Sequence, residues 1–189
     1  TSIVERYGPA ADSWSLGADF QPSRSRAKTV FLPNKKILVM GGQKENAADP
    51  TPTNQWGYMN LTDEYDPFAD SWRRLAHMNY RREYHANTVL VPDGRVIAVG
   101  GEGAPGNEPP LSVIEAFSPP YLFRGVRPVI HSLNKTDFAR GEVIEFQVEL
   151  TDSLTGMVLM SAASVTHFIN TGNNRYLDLP FTQSLGAAA

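Results

Sequence analysis

The 189-residue sequence predicts an all-β protein, with β-propeller blades followed by an immunoglobulin-like β-sandwich. Its 15 glycines and 14 prolines suit many short strands joined by turns better than they suit helices. Two sequence features recur at a shift of 58 to 59 residues, which indicates a structural repeat. These signals end near residue 126, where a segment of different pattern begins. We therefore predict two domains, 1–125 and 126–189, both incomplete in this chain.

The first repeated feature is a strand with a Tyr-x-Pro motif that is followed by a tryptophan. It occupies residues 4–14 and again residues 62–72, with Tyr, Pro, Ala, Asp, Ser and Trp in register. Trp14 and Trp72 recur with the repeat, and we expect both in the core.

The second repeated feature is an apolar strand that ends in Gly-Gly, at residues 36–42 and 95–101. Each copy follows a turn, and each turn follows a β-rich run, so both copies are predicted hairpins. The turns are Pro33-Asn34-Lys35 and Pro92-Asp93-Gly94. A third copy begins at residues 113–119. The polar insert at 43–61 is interpreted as a surface loop.

The combination of these features resembles the kelch repeat, whose units form four-stranded propeller blades. A generic β-meander is the alternative. About two blades cannot close a ring of the usual four to eight. We therefore expect the remaining blades to come from a missing part of the protein or from another chain.

The segment after residue 126 has the pattern of a β-sandwich. Residues 142–150 alternate polar and apolar side chains, as a half-buried strand does, and 158–160 and 165–169 are further short strands. Since a full immunoglobulin-like domain has about 100 residues, the final strands are expected to be missing.

Composition excludes several functional classes. A net charge of −3 and a pI near 5.8 do not favour nucleic acid binding. No apolar run reaches the roughly 18 residues of a membrane span. The chain contains no cysteine, which excludes disulfides and thiolate metal sites within these residues.

The candidate chemistry lies with the histidines and tyrosines. Tyr84 and His85 precede the inner strand of the second copy, whereas the first copy has Ser25 and Arg26 there, so this pair is not required by the repeat. The pair either binds a metal beside the channel or caps a strand by hydrogen bonds. His167 lies in a small polar run and is either at a hairpin tip or in a surface loop. His77 and His131 are interpreted as surface or packing residues.

Two imidazoles and a phenolate form a chemically coherent ligand set. Imidazole nitrogen and anionic oxygen suit Cu(II), among other metals. A phenol ionises little at neutral pH unless a cation stabilises its anion. The sequence separation of the histidines is no obstacle, because ligands need only converge in space.

Several ordered motifs resemble the galactose oxidase and glyoxal oxidase family over nearly the whole chain. They are Arg82-x-Tyr84-His85, Val91-Pro92-Asp93-Gly94-Arg95-Val96, Gly100-Gly101, Ser118-Pro119-Pro120-Tyr121-Leu122, Arg127-Pro128-x-Ile130 and Ser164-x-Thr166-His167-x-x-Asn170. The resemblance implies a kelch propeller followed by an immunoglobulin-like early set domain. A hairpin of that second domain brings a histidine to the copper in the propeller channel. Asn173-Asn174-Arg175 departs from the Gln-Arg that family members often have after this histidine.

By this resemblance, Tyr84, His85 and His167 bind one copper ion, and Tyr84 takes the substrate hydroxyl proton as general base. A radical tyrosine cross-linked to a cysteine is expected from residues outside this chain. The implied reaction oxidises a primary alcohol, aldehyde or sugar and reduces O2 to H2O2. These 189 residues alone are not expected to turn over substrate.

The resemblance also implies a secreted or cell-surface protein, and the N-glycosylation sequons at Asn60 and Asn134 agree with that. The rival hypothesis is a non-catalytic kelch and sandwich scaffold, or a carbohydrate-binding extracellular module. It predicts that Tyr84, His85 and His167 do not converge.

Overall fold

A computed structural model describes residues 2–44, 57–101, 111–149, 154–162 and 176–184. Described residues 2–119 form the body of one compact unit, and residues 120–149, 154–159 and 176–184 form a second. In the described part, every regular element is a strand except for one short 3₁₀ helix. The domain limits predicted from the sequence stay a prediction.

The first unit contains eleven strands among its described residues. They are β1 Glu5–Gly8, β2 Ser13–Leu16, β3 Arg24–Ser25, β4 Lys28–Phe31, β5 Ile37–Met40, β6 Gln43–Lys44, β7 Thr62–Asp66, β8 Ser71–Arg74, β9 Ala86–Leu90, β10 Val96–Gly100 and β11 Glu115–Phe117. Strands β4-β5-β7-β8 form an antiparallel sheet in that order, which is the arrangement of a propeller blade. Strands β9-β10-β11 repeat its first three strands, β1-β2 form a hairpin, and β3 pairs with β6.

Both predicted hairpins form, and they have the same geometry. In the first, the Leu32 amide donates to Lys36 and the Lys35 amide donates back to Leu32, at 2.9 and 3.0 Å. In the second, the Val91 amide donates to Arg95 and the Gly94 amide donates back to Val91, each at 2.9 Å. The third position of each turn has positive φ, 67° for Lys35 and 87° for Gly94. The turns therefore fix the register of β4 on β5 and of β9 on β10.

The repeat at a shift of 58 is confirmed down to side-chain contacts. Tyr7 lies opposite Trp14 and donates to Asp12 at 2.7 Å. Tyr65 lies opposite Trp72 and makes the equivalent bond to Asp70 at 2.6 Å. Both aspartates have φ near 47°. The hairpin β1-β2 is thus the structural equivalent of β7-β8.

The core of this unit is aliphatic and lies on the inner strands. Its fully buried members include Val30, Leu32, Leu38, Met40, Met59 and Val96. Full burial of each such side chain stabilises the fold by about 1.5–3 kcal/mol. Strands β4 and β9, which begin the two blades, lie against each other.

Trp72 is a packing residue as predicted, but the same prediction for Trp14 is wrong. The Trp72 ring lies 4.5 Å from the Phe20 ring and 4.7 Å from the Tyr65 ring, and its indole N–H donates to the Ala18 carbonyl. Trp14 is 67% exposed, with a ring contact only to Tyr7 among the described residues. The difference arises because residues 18–20 cover β8, whereas no described segment covers β2 in the same way.

The interpretation of residues 43–61 as a surface loop is wrong at both ends of the segment. Gln43–Lys44 form β6, and the Lys44 amide donates to the Gly57 carbonyl at 2.8 Å. Tyr58, Met59 and Leu61 are buried. These apolar residues follow a polar insert, and they enter the core because they lead directly into β7. Residues 45–56 lie outside the described residues.

The second unit is built from two-stranded sheets. Its elements are a 3₁₀ helix at Pro120–Phe123, β12 Val129–Leu133, β13 Phe146–Glu149, β14 Val158–Met160 and β15 Tyr176–Asp178. Strand β12 pairs with β13, and β14 pairs with β15. The predicted strand at 142–150 begins only at residue 146, because the Glu142 carboxylate instead accepts from the Ala139 amide and Lys135, each at 2.7 Å. The predicted strand at 165–169 lies outside the described residues.

Candidate metal centre

The predicted Tyr84 and His85 pair lies in a turn that leads directly into β9. Tyr84 is half-buried and His85 is exposed. Their ring centroids are 3.9 Å apart, with an angle of 32° between the ring planes. His85 has a φ of 54°, which turns the chain sharply before the strand begins. The turn therefore brings a phenol and an imidazole side by side at the start of an inner strand.

Backbone contacts from the preceding blade hold this turn in place. The Gly42 amide donates to the Arg82 carbonyl at 2.8 Å, and the Arg82 amide donates to the Met59 carbonyl at 3.1 Å. Gly41 has a φ of +66°, and a Cβ at this position would lie 2.3 Å from the Arg82 carbonyl oxygen. The Gly-Gly end of β5 is thus where the blade approaches the site turn, and only glycine fits this close contact.

The buried Arg82 side chain ties the same turn to its own blade. Its Nε and Nη2 donate to Glu115 Oε2 at 3.0 and 2.8 Å. Nη1 donates to the Gly100 carbonyl at 2.5 Å, and Nη2 donates to the Val113 carbonyl at 2.9 Å. The other oxygen of Glu115 accepts from the Asn79 amide at 2.7 Å. This network fixes the residues that precede the site turn against β10 and β11.

An equivalent arginine–carboxylate pair is present in the first blade. Arg24, which precedes β4, donates to Asp63 at the start of the third strand, and both side chains are buried. Burial lowers the pKa of Arg24 to about 10, which leaves it a cation at neutral pH. Each blade therefore uses one buried arginine to connect the residues before its inner strand to its third strand.

Glu83 is the charged neighbour of Tyr84. Its side chain is fully buried, and its carboxylate accepts a hydrogen bond from the Tyr84 amide. Arg26 donates from Nη1 to the other Glu83 oxygen at 2.5 Å, and this bond raises the pKa of the guanidinium. The Arg26 Cζ also lies 5.0 Å from the centroid of the Tyr84 ring. Glu83 thus fixes the backbone of Tyr84 and also fixes Arg26, whose guanidinium lies beside the Tyr84 ring.

A second cation lies near this carboxylate. Lys28 on β4 is buried, and burial lowers its pKa from 10.5 to about 8. The negative charge of Glu83 acts in the opposite direction, and the positive charge of Arg26 lowers the pKa further. The surroundings of Tyr84 therefore combine one carboxylate with two basic groups.

The structure brings together Tyr84 and His85, and the third predicted ligand, His167, lies outside the described residues. Within the described ranges, no three histidine or carboxylate side chains are grouped to hold a metal ion. His77 and His131 are exposed, and His131 faces Glu149 at 3.1 Å. The phenol and imidazole of the Tyr84–His85 pair are suitable donors for Cu(II) and can supply part of a ligand set.

No local pattern in the sequence identifies Arg26, Lys28, Glu83 or Glu115 as part of the site. Their contacts join residues 33 to 57 positions apart, which local patterns do not encode. One signal was present for Arg26, since it occupies the position of His85 in the first copy of the repeat. Both residues have nearly the same positive φ, 55° and 54°.

Comparison with known proteins agrees with this architecture. The chain is 23% identical to a copper-bound fungal alcohol oxidase of the AA5 family, with a TM-score of 0.76. The match covers 90% of this chain and 36% of that structure. The fold is therefore that of a propeller and sandwich protein, as the sequence predicted.

Two curated relatives are similar in sequence. Aldehyde oxidase GLOX1 of Arabidopsis thaliana is 28% identical in an alignment of 171 positions that covers 83% of this chain and 28% of that protein. Galactose oxidase of Gibberella zeae is 27% identical in an alignment of 161 positions that covers 81% of this chain and 22% of that protein. Both relatives carry names of the galactose oxidase and glyoxal oxidase family, whose motifs the sequence of this chain resembles.

The chain spans under a third of the length of these two relatives. No family model matches it. Among the described residues, no helix is both long enough and apolar enough to cross a bilayer.

Proposed function

We propose that Tyr84, His85 and His167 hold a copper ion in an oxidase that acts on a primary alcohol or an aldehyde. The reaction removes two electrons and two protons from the alcohol, or from the hydrate that the aldehyde forms with water, and reduces O2 to H2O2. The observation that carries this proposal is the Tyr84–His85 pair, whose rings lie side by side before an inner strand in a chain that resembles this family. When bound, copper would polarise the substrate oxygen and accept electrons.

Within this proposal, Tyr84 accepts the proton of the substrate hydroxyl as a general base. The Glu83 carboxylate accepts a hydrogen bond from the Tyr84 amide, which fixes the backbone that carries the half-buried ring. Such positioning keeps a proton acceptor in one orientation toward the substrate. His85 and His167 supply neutral imidazole ligands from the propeller and from the following domain.

The proposal also requires a cross-linked Cys–Tyr cofactor. This chain contains no cysteine, so residues outside the 189 would supply that group. The small-molecule substrate and O2 are the proposed partners, and the early set domain is the proposed source of His167.

Replacing Tyr84 by Phe in the full-length protein tests its role. The variant is expected to keep its copper, because both imidazoles remain, and to lose about 10²–10⁴-fold in kcat, the usual contribution of a general base. Tyr80→Phe is the matched control, since Tyr80 is exposed and four residues away in the same segment. A Tyr84→Phe enzyme with unchanged kcat would show that another group takes the proton.

We also propose an extracellular or cell-surface location. Of the two sequons, Asn134 is exposed and suits a glycan. Asn60 is half-buried, and its side-chain nitrogen donates to the Met78 carbonyl at 2.8 Å. Peptide mapping after expression through a eukaryotic secretory pathway is expected to find the glycan at Asn134, and an unmodified Asn134 in a secreted protein would contradict this.

A further inference from the structure

Arg26 occupies the same position in the first blade that His85 occupies in the second. Each residue lies fifteen positions before the first glycine of its Gly-Gly pair, and each has a φ near 55°. Each precedes the innermost strand of its blade, and these strands, β4 and β9, lie against each other. Arg26 and His85 are therefore equivalent residues that precede neighbouring strands.

Some N–H donors of the Arg26 guanidinium make no hydrogen bond within the described part of the chain. Its Nη1 donates to Glu83 at 2.5 Å and to Gln43 at 3.4 Å. Within the described part of the chain, Nε and Nη2 have no acceptor. A guanidinium carries five N–H donors, so an edge of the group stays available for a ligand. The side chain is 47% exposed, so a small molecule can reach that edge.

The buried Glu83 fixes the guanidinium without cancelling the positive charge of the region. Lys28 also lies near Glu83, so two basic groups share one carboxylate. Lys28 is largely protonated at neutral pH, because its pKa is about 8. Arg26, Lys28 and Glu83 together carry a net positive charge, which attracts an anionic group.

We propose that Arg26 binds a carboxylate of the substrate beside Tyr84, so that the enzyme prefers aldehydes or alcohols that carry a carboxylate close to the reacting carbon. This inference rests on the proposed function, since it places the reacting carbon at Tyr84. The planar fork of a guanidinium matches a carboxylate through two parallel hydrogen bonds. Arg26 is in this view a specificity-determining residue that touches the substrate but not the reacting atoms.

The kinetic test compares glyoxylate with acetaldehyde, which differ by a carboxylate in place of a methyl group. In the full-length protein, Arg26→Gln is expected to raise the KM for glyoxylate about 10- to 100-fold, the usual loss for hydrogen bonds to a charged group. The KM and kcat for acetaldehyde are expected to change less than about threefold. Arg26→Lys should lie between the two, because it keeps the charge but not the fork.

Arg81→Gln is the matched control, since Arg81 is an exposed arginine of the same turn region. It should leave the preference for glyoxylate unchanged. If Arg26→Gln raises KM equally for both aldehydes, or lowers kcat for both, then Arg26 only supports Tyr84 and the proposal is wrong.

A binding measurement separates this inference from the proposed oxidase activity. Titration of the metal-free full-length protein with oxamate, an anion that is not an aldehyde, needs no turnover. The wild type is expected to bind oxamate at least about tenfold more tightly than Arg26→Gln, and equal urea midpoints would show that both proteins are folded. Equal affinities would overturn the role of Arg26. Retained binding without oxidation of either aldehyde would instead contradict the proposed function.

Discussion

At the scale of single residues, Arg82 connects the candidate site to the stability of the blade. It is 1% exposed, and its guanidinium donates hydrogen bonds to the Glu115 carboxylate and to the Gly100 and Val113 carbonyls. The Glu115 side chain is only 12% exposed, and a carboxylate with so little access to water is strongly destabilising once it loses its cation. The same side chain fixes the turn that carries Tyr84.

Replacing Arg82 by Met is therefore expected to lower the free energy of unfolding by about 3–5 kcal/mol. Urea denaturation followed by fluorescence measures this change. Arg95→Met is the control, because the Arg95–Asp93 pair is exposed, and such pairs contribute about 0–1 kcal/mol. Equal losses for the two variants would contradict the structural role of Arg82.

Lys28 makes stability depend on pH in a defined direction. Its pKa is about 8 in the folded chain, against 10.5 for an ordinary lysine. Between these values the unfolded chain holds more protons than the folded chain, so the free energy of unfolding rises with pH. Below about pH 8 both states are protonated at this group, and its contribution is constant.

The measurement is the urea midpoint of the wild type and Lys28→Met between pH 7.5 and 9.5. The wild type should gain stability relative to Lys28→Met across this range. Lys135→Met serves as the control, since Lys135 is an exposed lysine. A constant difference between the wild type and Lys28→Met would mean that Lys28 titrates normally.

At the scale of elements, the Gly-Gly end of β5 joins one blade to the site turn of the next. Gly41→Ala places a methyl group against the Arg82 carbonyl and puts alanine at a φ of +66°. The positive φ alone costs of order 1–3 kcal/mol, and the close contact adds to it. Thermal unfolding should detect this loss, whereas Gly156→Ala should be nearly neutral, because nothing lies within 4 Å of its added Cβ. Similar midpoints for the two variants would contradict the proposed close approach.

Local sequence signals were sufficient to predict the hairpins and the repeat. The Pro33-Asn34-Lys35 and Pro92-Asp93-Gly94 turns carry their own conformational preferences, and the alternation of apolar residues then determines which face is buried. Burial was harder to predict, because it depends on what covers a strand. Trp14 and Trp72 have the same local sequence, yet Phe20 covers only Trp72.

The sequence predicted only part of the candidate site, because some of its contacts depend on which segments meet in the folded chain. Tyr84 and His85 are adjacent in sequence, so their proximity follows from the chain itself. The Arg26–Glu83 and Arg82–Glu115 pairs form only when the two blades and their third strands are in place. Such tertiary contacts have no signature in a single sequence, whereas the equivalence of Arg26 and His85 did follow from the repeat.

At the scale of the whole molecule, the proposed ligands are far apart in sequence. Tyr84 and His85 precede β9, and His167 lies between β14 and β15 in sequence. Because the chain covers 28% of the Arabidopsis relative and 22% of the Gibberella one, the centre is best tested in the full-length protein.

The most direct test is the copper content of the purified full-length protein with both His85 and His167 replaced by alanine. We predict one copper per wild-type molecule. In the double variant, the affinity for copper should fall by more than about 10- to 100-fold, which is the loss typical of residues that only support a ligand. A variant with His77 and His131 replaced by alanine should keep its copper. Full copper in the His85→Ala and His167→Ala protein would contradict the proposed ligand set, and a copper-free wild type would favour a binding scaffold.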